Sequence, residues 1–402
     1  MSKIDELIET LCQDGVEFKQ LWEVTAWDKR FNAVENYKQT SIIKYKYLLA
    51  KDLKNLQDDN GDVKLLSTGY YDAYTTEEKA GNYLVEGEIV AIPWGGTAIV
   101  KYYKGKFVTA DNRIATSIDS RILNNRFLYY FMSSKIDLIQ SFYRGSGIQH
   151  PSMNSVLSMN IPVPPLEVQN EIVRILDNFS ALEAELEAEL EARTKQYNYY
   201  LNKLLDFSGK KVQSVLLGDI ADFKYGFTDI AKNQGNARFI RITDIENNGK
   251  LININRKYIE MSRDSEAFLL KKGDLLMART GATYGKTMLF NEDYPAVYAS
   301  FLIRIRFKKG IVLPEYYWHF AQSKLYWNQA NKLVSKAGQP QFNANVLKSI
   351  EICIPSIDEQ KRIVDILNRF DLLCSDLING LPAEISARRQ QYEYYRNKLL
   401  TF

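Results

Sequence analysis

The feature that most constrains this chain is a long stretch that occurs twice. The first copy covers residues 161–207 and the second covers residues 352–402. Both contain Ile-Val-x-Ile-Leu-(Asp/Asn)-x-Phe, and both close with Gln-Tyr-x-Tyr-Tyr-x-Asn-Lys-Leu-Leu. Because a repeat of this length rarely arises by chance, it predicts two similar structural units in tandem.

Each copy begins with a short proline-bearing segment and continues as a long helical pattern. Apolar residues recur at steps of three and four, which is the pattern of a coiled-coil seam. About 40 residues at roughly 1.5 Å each make a rod of about 60 Å, and its apolar stripe needs a partner. We interpret the two copies as an intramolecular antiparallel helix pair; a helix packed only on its own domain is the alternative. The expected spacer residues are Leu182, Leu186, Leu190, Tyr197 and Leu204 in the first copy, and Leu373, Leu377, Tyr392 and Leu399 in the second.

The two copies differ at one informative place. The first contains the tetrapeptide Leu-Glu-Ala-Glu twice, at residues 182–185 and 186–189. The second is longer there and contains Gly380 and Pro382, which should kink or break its helix. Four residues are about one helical turn, or roughly 6 Å. A spacing set by this rod could therefore be changed by adding or removing one tetrapeptide.

Composition limits the broad class of protein. A chain of 402 residues predicts two to four domains, and its net charge is only +3. Residues 212–350 carry 20 basic and 12 acidic residues, whereas residues 161–207 carry 4 basic and 9 acidic ones. The second globular region is therefore better suited to phosphates than the first helix. Three cysteines without metal spacing, a polar start and no long apolar run predict a cytoplasmic protein that does not enter a membrane.

The order of patterns predicts an α+β chain with two similar β-rich domains. We expect a first domain at residues 1–160, including a helix at 3–12, and a second domain at 212–350. The helical spacers then occupy residues 161–207 and 351–402. Short apolar runs in the first domain predict strands at 89–92, 98–100 and 107–108, and a helix should begin at Arg126. Short matching segments recur in the second domain, including Tyr316–Phe320 opposite Phe127–Phe131.

No pattern predicts catalysis by this chain alone. The segment Gly281–Thr287 approaches a phosphate-binding loop, but its glycine spacing is one residue short and strand residues follow the lysine. His319 lies in an aromatic helical stripe and is expected to be core, and His150 has no catalytic partner. We find no metal cluster, dinucleotide fingerprint or Asn-Pro-Pro-aromatic methyltransferase signature. We therefore predict no catalytic residue, no metal site and no cofactor bound by this chain.

Two loops of the second region have the composition of nucleic-acid contacts. Arginine and lysine can bind phosphate or guanine, glutamine and asparagine can pair with adenine, and glycine allows close approach. Two solvated turns are the alternative, which the sequence leaves open. The candidates are Arg279, Thr280, Gly281, Thr283, Tyr284 and Lys286 in one loop, Lys336, Gln339, Gln341 and Asn343 in the other, and Trp94, Arg144, Ser146, Gln149 and His150 in the first region.

The doubled motifs, the loop at 338–343 and the Leu-Glu-Ala-Glu tetrapeptides together resemble the specificity subunits of type I restriction-modification enzymes. The resemblance covers nearly the whole chain. It implies two target-recognition domains in a pseudo-symmetric layout, each reading one half of a split site in double-stranded DNA. Two copies of the tetrapeptide imply a gap of about six base pairs.

The resemblance also implies the partners. The helical spacers would dock two modification subunits, which bind S-adenosylmethionine and methylate adenine, and restriction subunits that use ATP and Mg²⁺ would join them. Two other readings remain open: a self-contained DNA methyltransferase, and a coiled-coil adaptor without DNA contact. The first region differs from the second at the first loop, because Pro93–Gly96 stands where the second has Arg279–Gly281.

Overall fold

The computed structural model describes residues 3–334, 341–375 and 380–402, apart from the side chain of Asp72. The chain forms two compact units, of which the first comprises Met1–Glu185 and Ser386–Phe402 and the second comprises Leu186–Ile385. Each unit therefore contains residues from both copies of the repeated stretch. The predicted residues Lys336, Gln339 and Leu377 lie outside the described residues.

The first unit is a mixed sheet with helices packed on it. Its helices are α1 (Lys3–Leu11), α2 (Leu21–Val24), α3 (Ala50–Asn55), α4 (Glu77–Ala80), α5 (Asn125–Ser134), α6 (Ile136–Ser141), α7 (Met153–Leu157) and the first part of α8 (Leu166–Leu204). Its strands are β1 (Phe18–Gln20), β2 (Thr25–Trp27), β3 (Val63–Leu66), β4 (Asp72–Thr75), β5 (Val85–Pro93), β6 (Lys101–Thr109), β7 (Asn112–Ser117), β8 (Tyr143–Arg144), β9 (His150–Pro151) and β10 (Asn160–Pro162).

The main sheet of this unit has the strand order β2-β7-β5-β6-β3-β4, and only β3 and β6 pair in parallel. A separate antiparallel pair, β1 with β10, brings the two ends of the domain together. The predicted helix at 3–12, the strands at 89–92 and 107–108 and the helix near Arg126 are confirmed.

The predicted strand at 98–100 is wrong. Ala98 and Ile99 are buried, but the Ala98 amide donates to the Gln140 side-chain oxygen at 2.7 Å instead of to a neighbouring strand. The strand begins only at Lys101. A short buried apolar run has the composition of a strand even when a loop buries it, so the pattern could not distinguish the two.

The second unit repeats this plan with different connections. Its helices are the second part of α8, then α9 (Leu217–Ile220), α10 (Arg263–Glu266), α11 (Pro314–Gln322), α12 (Lys324–Leu333), α13 (Ala344–Lys348), α14 (Ile357–Ser375) and the start of α15 (Leu381–Leu399), whose remainder belongs to the first unit. Its strands are β11 (Gln213–Leu216), β12 (Ala221–Tyr225), β13 (Ala237–Ile240), β14 (Tyr258–Ile259), β15 (Leu275–Ala278), β16 (Thr287–Leu289), β17 (Ala296–Tyr298), β18 (Leu302–Phe307) and β19 (Glu351–Ile354).

The two units share a common framework. The order β12-β18-β15-β16 in the second matches β2-β7-β5-β6 in the first, and the antiparallel pair β11–β19 matches β1–β10. A second sheet, β14-β13-β17, is particular to the second unit within the described residues. Thus the sequence repeat corresponds to a structural repeat, on which each unit carries different additions.

A buried glutamine at the start of each long helix makes the same three hydrogen bonds in both units. Gln169 accepts from the Asn124 amide at 2.9 Å and donates to the carbonyls of Ile122 and Pro164. Its counterpart Gln360 bonds the corresponding groups of Leu313, Ile311 and Pro355. Both side chains are fully buried. Each glutamine therefore links a long helix to the loop that precedes the aromatic helix of its own domain.

Within each unit, helices from the two copies lie side by side in opposite directions. In the first unit Phe179 stacks on Tyr395 at 5.4 Å and Glu183 pairs with Arg389, so rising numbers in α8 meet falling numbers in α15. In the second, Tyr200 stacks on Phe370 at 5.5 Å, which is the same contact with the copies exchanged. The predicted interruption of the second spacer is confirmed at Gly380, which lies outside a helix directly before α15 begins at Leu381.

The predicted spacer residues differ in exposure. Leu182, Leu186 and Leu190 are half-buried, whereas Leu373 is exposed. Four others pack against the core of their own unit: Tyr197, Leu204, Tyr392 and Leu399.

Candidate nucleic-acid interface

The two candidate loops of the second unit meet in space. Thr280 and Gln341 form an antiparallel β-bridge, and the Phe342 amide donates to the Arg279 carbonyl at 2.8 Å. The first loop follows β15 and the second precedes α13, so strand order rather than sequence proximity brings them together. Gln341 is exposed at this junction, and Phe342 is buried beneath it.

Arg279 is the most organised cation of this surface. Its guanidinium carbon lies 5.3 Å from the ring centroid of Tyr225 and 5.4 Å from that of Phe301. Its Nε donates to the Ser300 carbonyl at 3.1 Å. Among the described residues its two terminal nitrogens make no hydrogen bond or ion pair. An arginine held in this way presents its terminal N–H groups without having to be ordered first.

The other candidates of the first loop mostly hold the loop in shape. Thr280 is 4 % exposed, and the Thr283 hydroxyl donates to its carbonyl at 3.1 Å. The Tyr284 hydroxyl donates to Asn331 at 2.8 Å, and the Lys286 ammonium donates to Asn247. Gly281 adopts φ +66°, a conformation that a side chain would strain.

Asn343 has a structural task that its residue type did not reveal. Its side-chain oxygen accepts from the amides of Asn345 at 3.0 Å and Val346 at 3.1 Å, which caps α13. An amide oxygen occupied in this way cannot at the same time complete a bidentate pair with adenine. Gln341 is the better placed of these two residues to contact a base, because it is exposed.

The corresponding loops of the first unit also meet. Trp94 follows β5, and the Gly96 amide donates to the Gln149 carbonyl at 2.9 Å. The Trp94 and His150 rings are 3.5 Å apart between centroids, and His150 Nδ1 lies 2.9 Å from the Trp94 carbonyl. A Cβ at Gly95 would lie 2.8 Å from the Ile148 side chain and 2.9 Å from His150 Nδ1, so a larger residue there would displace these side chains.

The hairpin β8–β9 presents the remaining candidates to solvent. Arg144, Ser146 and Gln149 are exposed, and Arg144 lies opposite His150 in the ladder. The guanidinium of the buried Arg113 stacks on the Trp94 ring at 5.4 Å. Ile148 is 71 % exposed at the tip of this hairpin. Each unit therefore places the loop after a central strand against the segment before α7 or α13.

A family model for the type I restriction modification DNA specificity domain matches residues 33–192 and 209–387. The chain belongs to this family. It is 33 % identical over 352 residues to a candidate type I restriction enzyme specificity subunit of Haemophilus influenzae, covering 83 % of this chain and 88 % of the relative. It is 31 % identical over 309 residues to the Escherichia coli EcoR124I/EcoR124II specificity subunit, covering 72 % and 74 %.

Solved structures agree on the fold of this specificity-domain chain. The type I restriction-modification S subunit from M. genitalium superposes with a TM-score of 0.63 at 16 % identity, covering 96 % of this chain and 97 % of that one. At this identity the match supports the two-domain α+β fold. The resemblance inferred from the doubled motifs is thus confirmed at the level of family and fold.

The predicted core role of His319 in the specificity-domain chain is confirmed. It is fully buried, and burial lowers its pKa to about 4, although a hydrogen bond to the Asn368 side-chain oxygen and the charge of Asp371 oppose that shift. Its Nε2 lies 2.8 Å from Asn368, and Tyr130 bonds Asp177 at the matching positions of the first unit. Both pairs join an aromatic helix to a long helix, so we assign His319 to packing.

Two features are absent from the described residues. No group of three or more His, Cys, Asp or Glu side chains there is arranged to hold a metal ion. No helix in the same ranges is both long and apolar enough to cross a bilayer.

Three residues of the interface were missed from the sequence: Tyr225, Phe301 and Ile148. Tyr225, at the end of strand β12, is 43 % exposed, and Phe301, in the turn before β18, is 51 % exposed. The two rings flank the Arg279 guanidinium. Aromatic residues close to glycine-rich loops in the sequence could have indicated such contact residues, but only the fold shows which of them lie beside Arg279.

Proposed function

We propose that this chain is the DNA-sequence-reading subunit of a type I restriction-modification complex and catalyses no reaction by itself. The observation that carries the proposal is Arg279, fixed between Tyr225 and Phe301 at the junction of two loops. Each unit would read one half of a split site in double-stranded DNA. The complex would act on DNA in a prokaryotic cytoplasm.

Arg279 suits guanine in the major groove. A guanidinium whose Nε is already bonded to Ser300 can offer its terminal N–H pair to O6 and N7 of one guanine. A bidentate pair of this kind discriminates between bases by about 1–3 kcal/mol. We therefore expect one half-site to contain a guanine read by Arg279, with Gln341 near the adjacent base. In the first unit, Trp94, Arg144, Ser146, Gln149 and His150 form the corresponding surface.

The remaining candidates divide into contacts and supports. Lys286 bonds Asn247 and can still reach a phosphate by rotating its chain, whereas Thr280, Thr283 and Tyr284 support the loop. Lys336 and Gln339 stay predicted DNA contacts from the sequence.

The long helices would set the distance between the half-sites and dock the partners. Two tetrapeptide copies in α8 support a gap of about six base pairs. Half-buried and exposed leucines of this helical region, such as Leu186 and Leu373, offer apolar surface to two modification subunits. Restriction subunits would join that assembly, and S-adenosylmethionine, ATP and Mg²⁺ would act in the partners.

The test is selection of bound duplexes from a random library by the full chain with its modification subunits. Arg279→Ala should relax the preference at one guanine of one half-site and leave the other half-site unchanged. Arg279→Lys should behave similarly, because lysine lacks the planar fork. Arg263→Ala, which removes an exposed arginine elsewhere in the same unit, serves as the matched control.

Two outcomes would contradict the proposal. Equal loss at both half-sites in Arg279→Ala would show that the arginine supports binding without reading sequence. Methyl transfer by the purified chain alone would favour a self-contained methyltransferase, and failure of the assembled complex to retain any duplex would favour an adaptor without DNA contact.

A further inference from the structure

The second unit buries an arginine that pairs with no carboxylate in the part of the chain that the structure describes. Arg238 lies in β13 and is 2 % exposed. Among the described residues no carboxylate lies within ion-pair distance of it, although the buried Arg113 of the first unit pairs with Asp111 at 2.8 Å. A buried charge is costly unless it is paired or fully hydrogen-bonded, so Arg238 calls for an explanation.

The hydrogen bonds of Arg238 leave its guanidinium incompletely satisfied. One terminal nitrogen donates to the Asn253 side-chain oxygen at 2.7 Å and to the Tyr294 hydroxyl, and the other donates to the Ile252 carbonyl. Its Nε is buried and has no partner among the described residues. All three acceptors are uncharged, so they orient the guanidinium without neutralising it.

A cavity of about 210 Å³ adjoins this guanidinium, and its lining is positively charged. Arg256 lies at the cavity, with its guanidinium carbon 5.8 Å from the Tyr294 ring, while that of Arg238 is 5.7 Å from the same ring. Tyr258 and Asn236 complete the polar lining. No described carboxylate lines the cavity; the charge of Glu292 reaches Tyr294 but Glu292 lies outside the lining.

We propose that this cavity binds a phosphate-class oxyanion. Two arginines, two tyrosines and an asparagine offer donors, and a divalent or monovalent oxyanion would supply the charge that Arg238 lacks. The volume accommodates a compact tetrahedral anion. Arg256 is exposed and lies on a loop, so it can close on the anion from the solvent side.

The anion has two possible sources, a phosphate of the DNA backbone or a free phosphate. Arg238 pairs with Ala296 in the parallel ladder of β13 and β17, and Ser300, which Arg279 contacts, lies four residues further along the chain. Four extended residues span about 13 Å, so the same duplex could reach both places. The oxyanion class follows from the cavity alone, whereas its assignment to the DNA backbone rests on the proposed function.

The first experiment measures unfolding of the full chain in inorganic phosphate and in chloride at equal ionic strength. Phosphate should raise the unfolding midpoint of the wild type and of the control Arg263→Ala, and this rise should be smaller in Arg256→Ala, which retains only the non-specific effect of the salt and weaker binding. Calorimetric titration with inorganic phosphate should show at least a tenfold weaker affinity for Arg256→Ala, because one charge-assisted partner is lost. Arg256 is exposed, so its removal should leave the fold intact. Equal responses of the wild type and Arg256→Ala would overturn the proposal.

The second experiment identifies the source by measuring DNA affinity against salt concentration. If a backbone phosphate occupies the cavity, Arg256→Ala should weaken binding to all sequences alike and reduce the salt slope by about one. If the slope is unchanged while phosphate binding is lost, the ligand is free phosphate. The phosphate measurement needs no DNA, so a failure of the proposed DNA function would leave its result interpretable.

Discussion

The buried glutamine Gln360 offers the sharpest test of how the recognition domain is fixed to the long helix. Gln360→Met keeps the size of the side chain and removes all its polar atoms. It would leave the Leu313 amide and the carbonyls of Ile311 and Pro355 buried without their partner. The lost interactions therefore involve the loop that leads into α11, not only the helix on which Gln360 lies.

The expected cost follows from the number of groups left unpaired. A buried donor or acceptor without a hydrogen-bond partner costs about 1–3 kcal/mol of stability. Unpaired amide N–H groups are rarer in folded proteins than unpaired carbonyls, so we expect the Leu313 amide to account for a large share of the loss. Because methionine fills nearly the same volume, we expect no added cavity. With three groups left unpaired, the loss should be at least about 3 kcal/mol, a large part of the roughly 5–15 kcal/mol that is typical of a domain.

Hydrogen exchange on the full chain provides the readout. Gln360→Met should speed exchange of the Leu313 amide, and Gln169→Met should do the same for the Asn124 amide of the first unit. Denaturant unfolding should show the loss of stability in both variants. Gln213→Met, at an exposed strand position, is the control and should change stability by less than about 0.5 kcal/mol. An unchanged Leu313 amide together with unchanged unfolding in Gln360→Met would refute the reasoning.

Three further predictions follow from other parts of the chain. Burial lowers the pKa of His319 to about 4 from 6.5, so the folded chain binds fewer protons than the unfolded one in this pH range. The free energy of unfolding should therefore fall by about 3 kcal/mol as the pH drops from 6.5 towards 4. In a pH series of unfolding curves, His319→Gln should not show this part of the pH dependence. Asn343→Ala should lower the free energy of unfolding by about 1 kcal/mol, because the helix cap is lost. Asn343→Ser should keep both the stability and the DNA sequence selected from the library. A changed DNA sequence with the serine variant would assign base reading to Asn343. Inserting one Leu-Glu-Ala-Glu after Glu189 should lengthen α8 by about 6 Å and the preferred gap between the half-sites by about one to two base pairs. The selection of bound duplexes would detect this change. An unchanged gap would show that the length of α8 does not set the distance between the half-sites.

Much of the helical architecture was predictable from the sequence because its causes are local. A helix brings residues three and four apart onto one face, so the apolar steps of residues 166–204 indicate a long helix directly. Glycine and proline act through their own backbone, so Gly380 and Pro382 indicated the break at Gly380, directly before α15. The doubled motif similarly revealed the duplicated framework, because duplication leaves its record in the order of residues.

The candidate interface was predictable only in part. Composition indicated the loops that contain Arg279, Gln341 and Asn343, but it did not show that the Asn343 side-chain oxygen caps α13. A polar side chain has the same hydrogen-bonding groups in a cap and at an interface, so residue type does not choose between them. The prediction of a strand at residues 98–100 was wrong for a related reason. A short apolar sequence indicates burial, and burial alone does not distinguish a strand from a packed loop.

The sequence by itself determined that this chain is two related units with long helices, since period, breakers and repeats are properties of neighbouring residues. Only the tertiary structure decided that Arg279 lies between Tyr225 and Phe301 and that Gln360 joins a helix to a distant loop. It also decided that Arg238 is buried with no carboxylate partner among the residues the structure describes. These contacts join residues tens of positions apart, and strand order and register bring them together. No local sequence pattern encodes such a pairing, because each residue is equally compatible with the helix, strand or loop that contains it whether or not its partner lies nearby.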